Sequence, residues 1–119
     1  MPKEGELRVA KILTPTQVVL NGGTNVGIKI DEKFLLYGLG EQIWDPETKQ
    51  LLETVEVLRG KARVIHLQEK ICILESTDTK TEVRRTNSAF PLIIGSQEET
   101  VYVTRPFKEV QVGDYARRL

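Results

Sequence analysis

Apolar residues occur along this chain in short runs rich in Val, Ile and Leu, and groups of Gly, Asn, Asp and Pro separate the runs. This alternation is typical of β-strands joined by turns. An apolar pattern of helical period does not persist beyond about two turns anywhere in the sequence. The pattern therefore predicts an all-β fold, a sandwich or a barrel, with strands over residues 6–13, 17–21, 34–37, 54–59, 61–68, 71–77 and 100–104.

Three of these runs follow one another closely, because only Gly60 and the pair Glu69-Lys70 separate them. Connections this short favour antiparallel pairing of neighbouring strands in a meander. Aliphatic and β-branched residues in the three runs are the predicted contributors to the core: Val55, Val57, Val64, Ile65, Leu67, Ile71, Ile73 and Leu74.

A glycine-rich and asparagine-rich segment, residues 21–27, is predicted to form a structural turn. Asn21, Gly23 and Gly27 supply positions that adopt positive φ at little steric cost. A phosphate-binding loop would require GxxxxGK[ST] before a helix, whereas this segment leads into a further strand-like run.

The sequence Asp45-Pro46-Glu47-Thr48 predicts a type I turn, because Asp accepts backbone hydrogen bonds and Pro fixes φ at the second position. Thr48 is placed to bond back to Asp45. The side-chain oxygens of Asp45, Glu47 and Thr48 are of the kind that bind calcium. The spacing and the closing glutamate of an EF-hand are missing, so the sequence predicts no metal site and no cofactor.

Residues 78–87 form the most polar stretch of the chain, with Val83 as their one apolar residue. We expect a polar loop or a mobile hairpin extension there. Residues 88–95 are apolar but contain Pro91, which is compatible with an edge strand or a packed loop. The strand predicted over 100–104 would then present an exposed edge.

Chain length, charge balance and cysteine content make some classes of protein poor matches for this sequence. The 119 residues suit one domain, and Lys plus Arg equals Asp plus Glu at 17 each, so the chain lacks the basic surplus of most nucleic-acid binders. Cys72 is the single cysteine and excludes an intrachain disulfide. The chain contains no apolar run long enough for a membrane span and begins without a signal-peptide pattern. A cytoplasmic location is expected, or a periplasmic or surface location if the chain is an excised domain.

Residues 18–70, together with a Val-Gly-Asp step near the end, resemble a bacterial module that is similar to the C-terminal domain of flagellar assembly protein T and to small domains of surface lipoproteins. The resemblance implies one small antiparallel β-barrel of SH3-like character over residues 1–119, used for assembly or attachment, without catalytic residues. This chain departs from the module at two positions, Asp31 and Lys49, where the module has glycine. The best-marked positions are Asn21, Gly23, Gly27, Phe34, Tyr37, Gly40, Asp45, Pro46, Thr48, Leu52, Gly113 and Asp114.

Candidate catalytic residues are few. His66 is the only histidine and lies within a predicted strand, where packing or surface exposure is the usual role. Cys72, between two isoleucines, is interpreted as a small buried apolar residue rather than a nucleophile. We therefore predict that the protein is not an enzyme.

Candidate binding residues are Trp44 and Tyr37, because aromatic residues dominate binding hot spots, and Arg84 and Arg85 in the polar stretch. The first hypothesis is a binding or assembly module with an unknown protein partner or self-association through a strand edge. The alternative is a small nucleic-acid-binding barrel of the OB or SH3-like kind, which would need aromatic residues on one sheet face beside Lys or Arg. Nucleic acid is the less favoured partner.

Overall fold

The computed structural model describes residues 6–86 and 97–119. Six antiparallel strands close into a barrel in the order β1-β2-β5-β4-β3-β8, and β6 and β7 form a separate two-stranded sheet. The small antiparallel all-β barrel predicted from the sequence is confirmed. The strands are β1 Leu7–Thr14, β2 Gln17–Leu20, β3 Lys33–Trp44, β4 Leu51–Leu67, β5 Cys72–Ser76, β6 Thr79–Thr86, β7 Gln97–Thr104 and β8 Tyr115–Arg118, with one 3-10 turn at Thr24–Val26.

Alternation along the strands builds the barrel core. Phe34 and Leu36 on β3 point inward and are fully buried, whereas Lys33, the first residue of the same strand, is exposed. Each large aliphatic or aromatic side chain removed from water in this way contributes about 1.5–3 kcal/mol. The other fully or nearly fully buried members of this core are Val9, Val18, Leu20, Ile28, Ala62, Val64, Cys72 and Leu74.

The chain does not turn at Gly60, so the prediction of two separate strands over 54–59 and 61–68 is wrong. Both runs belong to β4, a single strand of 17 residues. Leu36 is paired with Gly60 and Tyr37 with Leu58, which leaves Arg59 as an extra residue in β4. Gly60 has φ of 145°, a value that side chains disfavour. The glycine therefore accommodates a bulge that bends one strand instead of reversing the chain.

The prediction that Val55 and Val57 lie in the core is also wrong, because 44% and 38% of their surface remains exposed. β8 pairs with β3 only as far as Tyr37, and β5 pairs with β4 only from Ala62 onward. Residues 39–44 and 51–58 therefore continue as a two-stranded ribbon beyond the barrel. We call this ribbon, with its connecting turn, the β3–β4 arm (residues 39–58). No further strand packs on the two valines among the described residues.

Residues 79–86 form β6 rather than a loop, and they pair in antiparallel register with β7 from Thr79↔Thr104 to Thr86↔Gln97. The loop interpretation is therefore wrong for these residues, and the alternative of a hairpin describes them. A two-stranded sheet with an open face does not require apolar side chains there, and Val83 and Tyr102, which share one face, are 62% and 77% exposed. Asn87 and the stretch 88–95 lie outside the described residues.

Two non-glycine residues in turns, Asp31 and Lys49, have left-handed backbone. Asp31 has φ of 65° and Lys49 has φ of 61°. Lys49 closes the turn after Asp45, whose Oδ1 accepts hydrogen bonds from the backbone nitrogens of Glu47 at 2.8 Å and Thr48 at 3.3 Å. Each of these non-glycine residues adopts its conformation at a steric cost that glycine would avoid.

We expect Lys49→Gly to raise the free energy of unfolding by about 1 kcal/mol, because glycine relieves the contact between Cβ and the backbone at positive φ. Urea denaturation followed by circular dichroism measures the change. Lys70→Gly is the matched control, since Lys70 is exposed in another turn and is not among the residues of positive φ. The control is expected to be destabilised slightly. Equal effects of the two substitutions would contradict the explanation.

Candidate functional site

Two tyrosines and two arginines form a row across the outer barrel surface. Tyr37 on β3 pairs with Tyr115 on β8, and their rings stack with centroids 5.5 Å apart and an interplanar angle of 18°. The guanidinium of Arg8, on β1, lies 4.5 Å from the centroid of Tyr115. That of Arg117 lies 5.1 Å from the centroid of Tyr37. We call this arrangement the tyrosine–arginine row.

Hydrogen bonds fix the arginines of the row. Arg8 donates from Nη2 to the Tyr115 hydroxyl at 3.0 Å and from Nε to the Gly113 carbonyl at 3.1 Å. Arg117 donates from Nη1 to Glu56 at 3.2 Å. Burial and the nearby Glu56 carboxylate raise the pKa of the Tyr37 hydroxyl, although the charge of Arg117 opposes the change. Tyr37 therefore stays a neutral phenol near neutral pH, and its ring packs between Tyr115 and Arg117.

A shallow groove of about 560 Å³ runs beside the row. Its lining combines apolar side chains with charged ones: Glu6, Leu7, Val26, Tyr37, Ala116, Arg117 and Arg118. Arg118 is held within this lining, since it donates to the Val26 carbonyl at 2.8 Å and pairs with Glu32 at 3.1 Å. The charged groups of the groove are thus largely committed to contacts within the chain.

The second candidate surface is the β3–β4 arm, which carries large apolar side chains in contact with solvent. Trp44 lies at its end, opposite Leu51, and 55% of its surface is exposed. Seven more apolar residues of the arm are at least 38% exposed: Leu39, Ile43, Leu51, Leu52, Val55, Val57 and Leu58. Exposed apolar side chains concentrated on one element in this way are typical of interaction sites in soluble proteins.

The arm is also strongly acidic. Its residues 39–58 include five carboxylates and one lysine, a net charge of −4, so the remainder of this neutral chain carries +4. The carboxylates are interspersed with the apolar residues, as the pairs Leu39↔Glu56 and Ile43↔Glu53 illustrate. The acidic members are Glu41, Asp45, Glu47, Glu53 and Glu56.

The four candidate binding residues do not converge on one site. Tyr37 and Trp44 share β3, but seven residues of extended chain separate them by about 23 Å. Arg84 and Arg85 lie on β6, in the separate sheet, where the backbone register places them opposite Glu99 and Glu98. The structure instead combines Tyr37 with Tyr115 and two arginines, and Trp44 with the leucines of the arm.

Sequence reasoning missed these leucines, although one signal was available. In the run 51–58 apolar residues occupy both odd and even positions, at Leu51, Leu52, Val55, Val57 and Leu58. A strand that covers a core on one face requires apolar residues at alternate positions only. The surplus indicates a strand whose two faces both contact apolar surface, here without a covering layer among the described residues.

The C-terminal turn organises the barrel rather than a site. Gly113 has φ of 94°, and Asp114 is buried. The Asp114 carboxylate accepts from Arg59 Nε at 3.1 Å and from the Gln111 backbone nitrogen at 2.7 Å. Side chains of this ion pair are only 13% and 9% exposed. The pair thus joins the bulge of β4 to the turn that precedes the closing strand β8.

The N-terminal turn is fixed in a similar way. The side-chain oxygen of Asn21 accepts from the Arg8 backbone nitrogen at 2.8 Å. Backbone nitrogens of Thr24 and Asn25 donate to the carbonyls of Gln68 and Glu69, at 2.9 and 3.0 Å. The segment 21–27 therefore packs on the turn between β4 and β5 and serves the fold.

The two residues considered as catalytic candidates, His66 and Cys72, lie on opposite faces of the barrel wall. His66 is exposed on β4, and Cys72 is buried in the barrel core. Within residues 6–86 and 97–119, no three His, Cys, Asp or Glu side chains are grouped to hold a metal ion. The same part of the chain has no helix that is long and apolar enough to cross a bilayer.

We expect the Cys72 thiol to react slowly with a thiol-specific disulfide reagent at pH 8 and to react fully after unfolding. Burial, followed by the charge of Glu32, raises its pKa to about 11. Because the folded-state pKa lies above the unfolded value of about 8.5, stability is unaffected below that pH and declines as pH rises toward 11. Cys72→Ala should lose this alkaline decline. Rapid labelling of the folded protein would contradict the assignment.

Comparison of the chain with protein-family models, with curated proteins and with solved structures finds no match.

Proposed function

We propose that this protein is a non-enzymatic binding or assembly module, of bacterial type, whose partner binds to the β3–β4 arm. The observation that carries the proposal is the exposure of eight large apolar side chains on one projecting ribbon. A two-stranded ribbon without a covering layer is marginal in water. A partner that covers the arm would bury this surface and stabilise the ribbon.

The exposed apolar side chains lie on both faces of the ribbon, with Val55 and Val57 on one face of β4 and Leu58 on the other. A partner that covered one face would bury part of this surface, and a partner that wrapped around the arm would bury all of these side chains. Trp44 is the largest of them, and tryptophan is enriched among residues that dominate binding energy. We therefore assign Trp44, at the end of the arm, as the main anchor, with Leu52 nearby as a second contact.

The resemblance to assembly and attachment modules supports the same proposal. Asp31 and Lys49 adopt left-handed backbone where the bacterial module has glycine. SH3-like character and a role in assembly remain part of this proposal.

We expect the double substitution Trp44→Ala, Leu52→Ala to abolish capture of the partner from cell extract, or to abolish self-association measured by light scattering over a concentration series. Loss of the two exposed anchors removes apolar contact area without disturbing the barrel core. Val83→Ala, Tyr102→Ala is the matched control, because these residues are similarly exposed on the β6–β7 hairpin. A strictly monomeric protein that captures nothing, or equal capture by both variants, would refute the proposal.

Nucleic-acid binding is the alternative, and the tyrosine–arginine row is the observation that favours it, since it places aromatic rings beside arginines on one barrel face. Against it, the Tyr115 ring lies between Arg8 and the Tyr37 ring, and the Arg117 guanidinium covers the Tyr37 ring. A base could stack there only by displacing these contacts. The test is an electrophoretic mobility shift assay with single-stranded oligonucleotides at low salt. A shift that Tyr37→Ala abolishes would support nucleic-acid binding, and the absence of a shift would refute it.

A further inference from the structure

The partner's chemistry follows from the charge and the edges of the arm, and this step rests on the proposed function. We propose that the arm accepts a basic segment of another protein, extended and with alternating apolar residues, which adds as a strand along the edge of β4 at residues 53–58 that no described strand pairs with. Strand addition of this kind combines backbone hydrogen bonds with side-chain pairing across the new ladder.

Charge selects the class of partner. Two arms paired edge to edge would bring two ribbons of net charge −4 together, and like charges directly opposite one another destabilise a sheet. A segment that carries Lys or Arg would instead meet Glu53, and would meet Glu56 in competition with Arg117, which pairs with it at 3.2 Å. The β6–β7 hairpin offers no such preference, because its strands carry equal numbers of acidic and basic residues.

The pairing pattern selects the edge. On β3, the register shift between Leu39↔Glu56 and Gln42↔Thr54 inserts an extra residue, so the outer edge of that strand is irregular. Bulges of this kind blunt an edge against further pairing. β4 runs without an extra residue from 53 to 58. Beyond this stretch its carbonyls at Arg59 and Lys61 already accept hydrogen bonds from Lys108 and Thr77.

Alternation along this edge defines the complementary pattern. Glu53, Val55 and Val57 share one face of the strand, and Thr54, Glu56 and Leu58 share the other. Each face therefore offers a carboxylate next to apolar surface. A partner strand that alternates lysine with valine would place its ammonium groups and its apolar groups beside matching groups of the arm.

A synthetic nine-residue peptide of alternating lysine and valine tests the proposal with the full chain. Trp44 is the only tryptophan, so its fluorescence reports occupation of the arm, and anisotropy of the labelled peptide gives the Kd. We expect this peptide to bind about tenfold or more tightly than a peptide of the same composition with its lysines in one block, and to weaken as salt rises. An alternating glutamate–valine peptide should not bind.

Charge reversal supplies the second arm of the test. Glu53→Lys, Glu56→Lys should weaken binding of the lysine peptide about tenfold or more and allow the glutamate peptide to bind. Glu69→Lys, Glu109→Lys is the control with the same change of net charge at exposed positions outside residues 39–58. It should leave the Kd within about twofold of the wild-type value.

Three results would overturn the inference: no binding of the lysine peptide, equal binding of the block peptide, or dimerisation of the chain through the arm that strengthens with salt. The proposed function would survive each of them if Trp44→Ala, Leu52→Ala still removed partner capture or self-association. Equal capture by that variant and the wild type would refute the proposed function itself, so the two failures are distinguishable.

Discussion

Gly23→Ala is expected to lower the free energy of unfolding by about 4 kcal/mol or more. A Cβ atom at this position would overlap the carbonyl oxygen of Gln68 and lie within 2.8 Å of the carbonyl oxygens of Ile71 and Glu69. All three are backbone atoms of the β4–β5 turn and cannot rotate away. The segment 21–27 would have to separate from that turn and lose the backbone hydrogen bonds of Thr24 and Asn25.

Gly27→Ala is the control for this prediction, because Gly27 belongs to the same turn. Its φ is 78°, and the nearest atom to a built Cβ is a side-chain nitrogen of Arg118 at 3.9 Å. Only the left-handed backbone opposes alanine there, at a cost of about 1 kcal/mol. Urea unfolding curves of both variants measure the difference. Similar losses for the two would show that close backbone contact at Gly23 is not the cause.

Asp114→Ala is expected to lower the free energy of unfolding by about 3 kcal/mol or more, because it leaves the Arg59 guanidinium buried without its carboxylate. The substitution also removes the acceptor for the Gln111 nitrogen, which shapes the turn before β8. β8 has only four residues and pairs with both β1 and β3. We therefore expect the loss to weaken closure of the barrel as a whole.

Two comparisons separate this ion pair from ordinary surface charges. Glu56→Gln breaks the pair with Arg117, whose side chains are 41% and 53% exposed, and should cost less than about 1 kcal/mol. Adding Arg59→Met to Asp114→Ala should recover part of the loss, since the buried charge is then removed. A double-mutant cycle measured by urea denaturation gives the coupling energy. Full additivity of the two substitutions would mean that the pair is not energetically coupled.

Gly38 offers an independent view of the same pair. A Cβ atom there would lie 2.7 Å from Arg59 Nη2 and 2.8 Å from Asp114 Oδ1. The absence of a side chain at this position of β3 allows the ion pair to sit against the strand. The sequence shows the glycine, but only the fold shows that the side chains of Arg59 and Asp114 pack against it.

Local alternation made most of the strands predictable. The runs that became β1, β2 and β5 were located within one or two residues, because a period of two is a property of adjacent side chains and needs no knowledge of the partner strand. The turn after Trp44 was likewise encoded locally, in the bonding capacity of Asp45 and the fixed φ of Pro46.

Burial could not be predicted in the same way. Val64 and Val57 lie on one strand in similar sequence surroundings, yet Val64 is fully buried and Val57 is 38% exposed. The difference arises because β5 and the barrel cover the first, whereas the second lies beyond the last neighbouring strand. Gly60 was misread for a related reason, since a glycine between apolar runs serves a turn or a bulge according to the strand opposite it.

Local patterning was enough to identify an all-β chain, the positions of its main strands and turns, and two candidate aromatic residues. The contacts of these residues depend on the tertiary structure. Tyr37 and Tyr115 are far apart in the chain and stack only because β8 closes the barrel beside β3. The acidic and apolar residues of 39–58 are exposed together on one ribbon only because the two strands extend beyond their neighbours, and strand neighbours are set by long-range pairing that the local pattern does not contain.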